Sequence, residues 1–518
     1  MARVGTWLRE SVWEIPLRRV LALLVAVALV AGVVFAVRAL THEDLSCAPG
    51  VSRAAAGDEC VGVATGGEPY DFGQPALRPV AQAIADENAT LKQGSYVTVA
   101  MMLPYTATSA TSLTDIRHQL QGAYLAQYQA NHRANGQTPQ IRLVLASPGT
   151  ADDGSHPWQR TVDELVTMAR GADRLRAVAG IGQSTDIGKA VVRALTRQGV
   201  PVIGSSISAD DLANGQHDKD PFPGLARVSP TNTDEARALA SFAKVNAGRA
   251  VLVYDKPGDP YTETLKSSFQ ALIKGSPYGA QPFTPPADRS QEGTTPNTFR
   301  QITTLLCGTS QTTDTVLFAG RHTQLRQFIN ALGARGCQNR RFTVLTGDEA
   351  SYLTHDGLLD RDALRHNLSV RYTALAHPDA WRTNPPATGG SAADYATMEK
   401  LVTAAARKPV GPIGPVALDD GQLIIGYDTV NLAVDGIRQA VPDGAYVPEL
   451  RDVGLQWPQV KGPLRVNGAS GWICLTAHGN PYDKAVPIVE LTPDGGARFV
   501  RIAWPEGKPP NKACLPPS

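Results

Sequence analysis

The chain has 518 residues, of which 42% are hydrophobic and 6% aromatic, so two domains with their own apolar cores fit comfortably. Its 49 basic and 48 acidic residues leave a net charge of +1. That balance removes the electrostatic grounds for a nucleic-acid partner or a polybasic membrane contact.

In chain order, residues 1–19 carry Arg3, Arg9, Arg18 and Arg19 and precede VLALLVAVALVAGVVFAV at 20–37, which has no charge. An uncharged run of this length is read as a transmembrane helix. The arginine flank puts 1–19 in the cytoplasm. A cleaved signal has a shorter apolar core and a small-x-small site, whereas Arg38 follows here, so the segment is expected to stay as an anchor. The expected location is the cell membrane, single-pass, with the main domain extracytoplasmic.

All six cysteines lie beyond that run, without a CxxC pair or a histidine cluster, so no metal site is expected. In an oxidising compartment the economical pairing joins neighbours: Cys47–Cys60, Cys307–Cys337 and Cys474–Cys514. Sequence alone leaves the other connectivities open. Residues 41–94 form a disulfide-containing lead-in that ends in an amphipathic helix starting at Leu77.

YVTVAMMLP (96–104) then reads as a buried strand, 113–133 as a helix and IRLVLASPG (141–149) as a strand. Helices at 161–171 and 186–199 alternate with strands at 175–184 and 200–206. This alternation means a parallel sheet with helices on both faces. A polar crossing leads to PTNTDEARALASFAK, where Asn232 and Glu235 make a capping-box signature. A second series follows, with strands at 249–255, 313–320 and 341–350 and helices at 260–275 and 323–336. A further amphipathic helix starts at Tyr427. The last stretch, GWICLTAHGNPYDKAVPIVEL and ARFVRIAW, reads as antiparallel strands bent at HGNP and PDGG.

The sequence has no G-x-S-x-G elbow, P-loop, H-E-x-x-H or calcium loop, and GIGQST at 180–185 lacks the third glycine of a dinucleotide fingerprint. No catalytic residue, cofactor or metal is therefore expected. Hydroxyls recur instead at the carboxyl ends of the parallel strands, at Ser184 and Thr185 and at Ser205, Ser206 and Ser208. Ligands bind at those ends in open α/β sheets, and short hydroxyls beside helix N-termini suit a carboxylate. Helix capping is the competing role for each of them. In the second unit Asp255, Tyr261, Asp348 and Glu349 lie at the matching ends. There an acid can meet an ammonium and Tyr261 can cover an apolar portion, with loop solvation or capping by Asp259 or Asp348 as the alternative.

The order of elements resembles the type I periplasmic-binding-protein fold, in particular the branched-chain amino-acid receptor group of transporter substrate-binding proteins. The resemblance runs through VTVAMMLPYT, RAVAGIGQSTDIGKAVVRALTRQGVPVIGSS, AVLVYDKPGDPYTETLKSSFQAL, TDTVLFAGRHTQLRQFINAL, YDTVNLAVDGI and GWICLTAHGNPYDKAVPIVEL, over roughly 95–492. It implies two Rossmann-like lobes joined by a multi-crossing hinge. Lobe 1 would take 95–225 and 427–455, and lobe 2 would take 226–375. A loop and return segment would fill 376–426, and 456–518 would supply antiparallel strands with hinge and lobe 2 elements. It also implies that Ser184, Thr185, Ser206 and Ser208 hold a ligand carboxylate, that Tyr261 is the second-lobe aromatic, and that Asp348 or Glu349 meets the α-amino group. The family's glycine-rich turn after the first strand is replaced by PYTATSAT, which puts Tyr105 at the pocket.

The expected function is capture of a small solute, an amino acid or related carboxylate, by lobe closure, for an ABC-type transporter or a membrane sensor partner. The alternative is a ligand-free structural or regulatory ectodomain that binds another envelope protein, its crevice blocked by Tyr105 or by 376–391. An enzyme is not expected.

Overall fold

The computed structural model describes residues 20–21, 23–25, 27–32, 46–54, 58–65, 67–132, 138–150, 154–216, 219–287, 291–443 and 446–516. The chain divides into an N-terminal unit, Met1–Ser46, and a larger one, Cys47–Ser518. In the first, the described residues are helical between 20 and 32. Among the described residues no helix is long and apolar enough to cross a membrane. The membrane anchor at 20–37, the single-pass placement and the membrane contact through that segment are corrected accordingly. Residues 1–19 and 33–37 lie outside the described residues.

The larger unit opens with β1 (Ser46–Ala48), β2 (Val51–Arg53), β3 (Cys60–Ala64) and α1 (Arg78–Ala89). The alternating series follows: β4 (Tyr96–Met102), α2 (Ala110–His132), β5 (Gln140–Ser147), α3 (Trp158–Arg170), β6 (Leu175–Gln183), α4 (Asp186–Arg197), β7 (Val202–Ser206) and β8 (Leu225–Arg227). These strands form one sheet in the order β1-β2-β3-β5-β4-β6-β7-β8, parallel from β5 to β8. The Cys47–Cys60 bridge ties β1 to β3, which pairs antiparallel with β2, at this edge.

Strand β4 shows why both faces are covered. Val97, Val99 and Met101 enter the core built with α1 and α2, while Ala100 and Met102 enter the core built with α3 and α4. A strand buried on both faces reads as a continuous apolar run, which is how 96–104 reads.

The second lobe begins with α5 (Asn232–Ala243). It continues through β9 (Ala250–Asp255), α6 (Pro260–Leu272), β10 (Gln281–Phe283), α7 (Thr295–Cys307), β11 (Thr315–Ala319), α8 (His322–Gly333), β12 (Phe342–Thr346) and β13 (Leu368–Thr373). The cap of α5 is Thr231, which accepts from Asp234 N, one residue before the expected Asn232. After α9 (Asp379–Arg382) and α10 (Ala392–Ala404), α11 (Gln422–Gln439) returns to the first lobe. Then come α12 (Leu450–Gly454) and the pairs β14 (Val466–Gly468)/β15 (Gly471–Ile473) and β16 (Val486–Leu491)/β17 (Ala497–Ala503). The last pair joins the second sheet, ordered β10-β9-β11-β12-β13-β16-β17, antiparallel from β13 onward.

The chain thus crosses between lobes three times, after β8, after β13 and after β15. Arg227 fixes the first crossing: its fully buried guanidinium donates to the carbonyls of Ala209 (3.0 Å) and Pro230 (2.9 Å). The second crossing is tied down where α11 meets α2. A Cβ on Gly122 would stand 2.0 Å from Leu423 O, and one on Gly426 2.1 Å from Gln119 O, so only glycine allows the two backbones this close. The remaining disulfides, Cys307–Cys337 and Cys474–Cys514, join the end of α7 to the loop after α8 and the strand end after β15 to the C-terminal segment.

Candidate interlobe crevice

The carboxyl ends of β6 and β7 face those of β11 and β12 across the lobe boundary. Thr185 caps α4, accepting from Gly188 N at 3.0 Å, which is the competing role weighed for it. Ser184 is buried and its Oγ accepts from Ala209 N at 3.1 Å. Ser205 Oγ donates to Gln119 Oε1 at 2.7 Å, and Ser206 Oγ donates to Gly182 O at 2.9 Å. Ser208 Oγ reaches across to Asp348 Oδ1 at 3.3 Å. The serines are therefore gathered on the lobe boundary, but the hydrogens of Ser205 and Ser206 are turned back onto their own lobe.

In the second lobe, Asp259 is the cap of α6, in a reciprocal capping box with Thr262. Asp255 ends β9 beneath it, its Oδ2 3.5 Å from Thr262 Oγ1. Tyr261 is buried, and its hydroxyl accepts from Glu349 N at 3.4 Å. Tyr105 does not reach this boundary: its ring stacks on Phe72 at 4.9 Å and its hydroxyl donates to Met101 O. The 376–391 segment is folded around Trp381 and Trp504, with Gly389 and Gly390 against the two indoles.

The centre of the boundary is held by Arg321, 5% exposed, which follows β11. Its Nε donates to Asp259 Oδ2 (2.8 Å), its Nη1 to Glu349 Oε1 (2.5 Å) and its Nη2 across the crevice to Ser184 O (2.7 Å). The guanidinium also lies 4.8 Å from the centre of the Tyr261 ring. The second Glu349 oxygen accepts from His322 N (3.2 Å) and pairs with His322 Nδ1 (2.8 Å), and the His322 ring stacks on Tyr352 at 4.6 Å. Burial works to raise Glu349, yet the Arg321 charge and the His322 contact hold it down at about 2. Burial and the neighbouring Glu349 charge push Asp348 up to about 7. Behind them, burial and like charge raise Asp115 and Glu235 well above the usual carboxylate range.

Sequence reasoning brought Ser184, Ser208, Asp348 and Glu349 to one boundary and missed Arg321, His322, Asp115 and Tyr352. Arg321 and His322 had a legible signal, since they follow β11 as Asp348 and Glu349 follow β12. Asp115 and Tyr352 sit inside a helix and a 3-10 turn, where no strand-end rule points.

No protein-family model matches the chain, and no curated protein matches it either. Solved structures do. A leucine-binding protein from Thermotoga maritima shares 16% identity at a TM-score of 0.55, covering 79% of this chain and 99% of its own. A solute-binding protein of an ABC transporter from R. palustris, in complex with benzoate, shares 17% at 0.55, with 81% and 99% covered. An extracellular ligand-binding receptor from Rhodopseudomonas palustris HaA2 shares 12% at 0.56, with 78% and 99% covered. The larger unit of this chain has the two-lobe α/β fold of these transporter-type binding proteins.

Proposed function

We propose that the protein is an extracytoplasmic receptor that captures a small solute by closing its two lobes, for an ABC-type transporter or another membrane partner. We further propose that the solute is a carboxylate without an α-ammonium. The observation that carries the second point is the saturation of Glu349. Arg321 occupies one of its oxygens and His322 the other, so the acid placed to meet an ammonium already has a cation of its own. The first-lobe loop remains suited to an anion. Ser184 and Thr185 each accept a backbone N–H, which leaves their hydroxyl hydrogens to donate. The N-terminus of α4 and the Arg321 guanidinium add positive potential there. Three disulfides suit an oxidising compartment. The benzoate-bound structure is a receptor of the same fold whose solute has no ammonium.

Thermal shift of the full chain with paired solutes tests this, because a ligand that prefers the folded protein stabilises it. Benzoate and 4-methyl-2-oxopentanoate should raise the melting temperature and leucine should not. A larger shift with leucine than with its oxo analogue would overturn the solute class. A second reading, an ectodomain that binds another envelope protein, is favoured by the filling of the crevice with Arg321 and Tyr352, both 5% exposed. It takes the lead if no solute shifts the melting temperature.

A further inference from the structure

Below the Arg321 cluster the boundary carries a second constellation that plays no part in the reading above. His118 comes from α2 in lobe 1, His355 from the end of the 3-10 turn Asp348–His355 in lobe 2, and Asp420 from the second crossing. His118 Nδ1 lies 2.5 Å from Asp420 Oδ2, and His355 Nε2 lies 3.3 Å from the same oxygen. One ligand atom from each of the three residues falls within 4.8 Å of the others. Asp419 adds an oxygen 3.8 Å from His355 Nε2. The His118 and Asp420 side chains are 1% and 0% exposed and His355 is 27% exposed, so the group is rooted inside and opens to solvent on one side.

From this geometry we infer a binding site for a divalent transition-metal ion, of the zinc type, formed by His118, His355 and Asp420 between the two lobes. Two imidazoles and a carboxylate are the donor set such ions take, with Asp419 or water as the fourth ligand. With bonds of about 2.0–2.1 Å, neighbouring ligand atoms of a tetrahedral site stand about 3.3 Å apart. The His355–Asp420 separation already has that value. The His118–Asp420 contact must lengthen by about 0.8 Å, the change from a hydrogen bond to two ligands of one ion.

The metal takes His118 Nδ1, so the ring proton moves to Nε2. Arg117, whose Nη2 lies 3.3 Å from that nitrogen, turns out towards solvent. Its stem is only partly buried, and the movement opens no core position. Because His118 and His355 belong to different lobes, the ion would staple the closed form. Lobe opening would then depend on metal supply as well as on solute.

The test uses the full chain, stripped with a chelator and titrated with zinc alone and, separately, with cobalt(II) as a spectroscopic probe. One equivalent should bind, with the visible absorption of a tetrahedral N/O cobalt site. Loss of a partner that merely orients a ligand lowers metal affinity about 10–100-fold, so His355→Gln should lower it at least tenfold. His118→Gln should do the same, while the exposed His366→Gln should change nothing. His355 is partly exposed, so its variant keeps the test valid if the buried His118 variant fails to fold. Absence of stoichiometric uptake, or uptake equal in wild type and His355→Gln, would overturn the site.

Discussion

Replacing Arg321 by methionine removes a cation shared by Asp259 and Glu349, together with its link to Ser184 O of lobe 1. The Arg321 side chain is 6% exposed and its two acid partners 7% and 4%, so solvent screens the pairs very little. Methionine fills most of the volume, so the loss is electrostatic rather than a cavity. Asp259 keeps its cap bond to Thr262 N at 2.9 Å and Glu349 keeps His322, but the buried cation that both acids hold is gone. Breaking a buried pair in this way costs about 3–5 kcal/mol. Urea unfolding at pH 7, followed by tryptophan fluorescence, should show a loss in that range. Arg321→Lys should recover part of it, since lysine restores the charge but not the three-way fork. Adding Glu349→Gln to Arg321→Met should also recover part, because one of the two acids that lost the cation is then neutral. The Arg321→Met variant should admit leucine to the crevice, giving a thermal shift absent from wild type. A loss below about 1 kcal/mol, the size of an exposed ion pair, would refute the reasoning that Arg321 is the boundary's internal counter-ion.

Asp348, pushed up to about 7 by burial and the Glu349 charge, binds its proton more tightly folded than unfolded, where the ordinary value is about 3.9. Its contribution is therefore present at low pH and lost as pH rises through about 7, and Asp348→Asn should flatten the decline in urea midpoint between pH 5 and 8; parallel profiles would count against it. Gly426→Ala would place a methyl 2.1 Å from Gln119 O and should cost about 1–3 kcal/mol by forcing α2 and α11 apart, whereas a neutral result would mean that the helices slide freely. Replacing Cys307 and Cys337 by serine opens a loop with a sequence separation of 30 and should cost about 2–5 kcal/mol, read from thermal unfolding with and without the bridge.

What could be read from the sequence was local. The runs at 96–104 and 249–255 announce buried parallel strands because both faces of each strand are apolar, and the serines after β6 and β7 follow from the strand-end rule. The uncharged run at 20–37 pointed to a membrane helix through its length and its arginine lead-in. Among the described residues no helix is long and apolar enough to cross a membrane. The cap of α5 was misplaced by one residue because Thr231 and Asn232 are both good caps and only the backbone decides between them.

The metal-type constellation was invisible for a different reason. His118 and Asp420 are 302 residues apart, so no spacing rule could join them, and a histidine in the middle of α2 looks like any buried polar residue. The same limit hid Arg321's role, although its position was legible. An arginine after a strand reads as a ligand contact, and only the second strand end, with Glu349, shows that its first partner is the protein itself. The two lobes therefore meet through charges of their own in both places, at Arg321 and at Asp420, before any solute enters. On the proposed reading, a solute that closes the two lobes must compete with an arrangement that already satisfies most of the boundary. That predicts selectivity set by what the solute can add beside Ser184 and Thr185, rather than by any demand from Glu349.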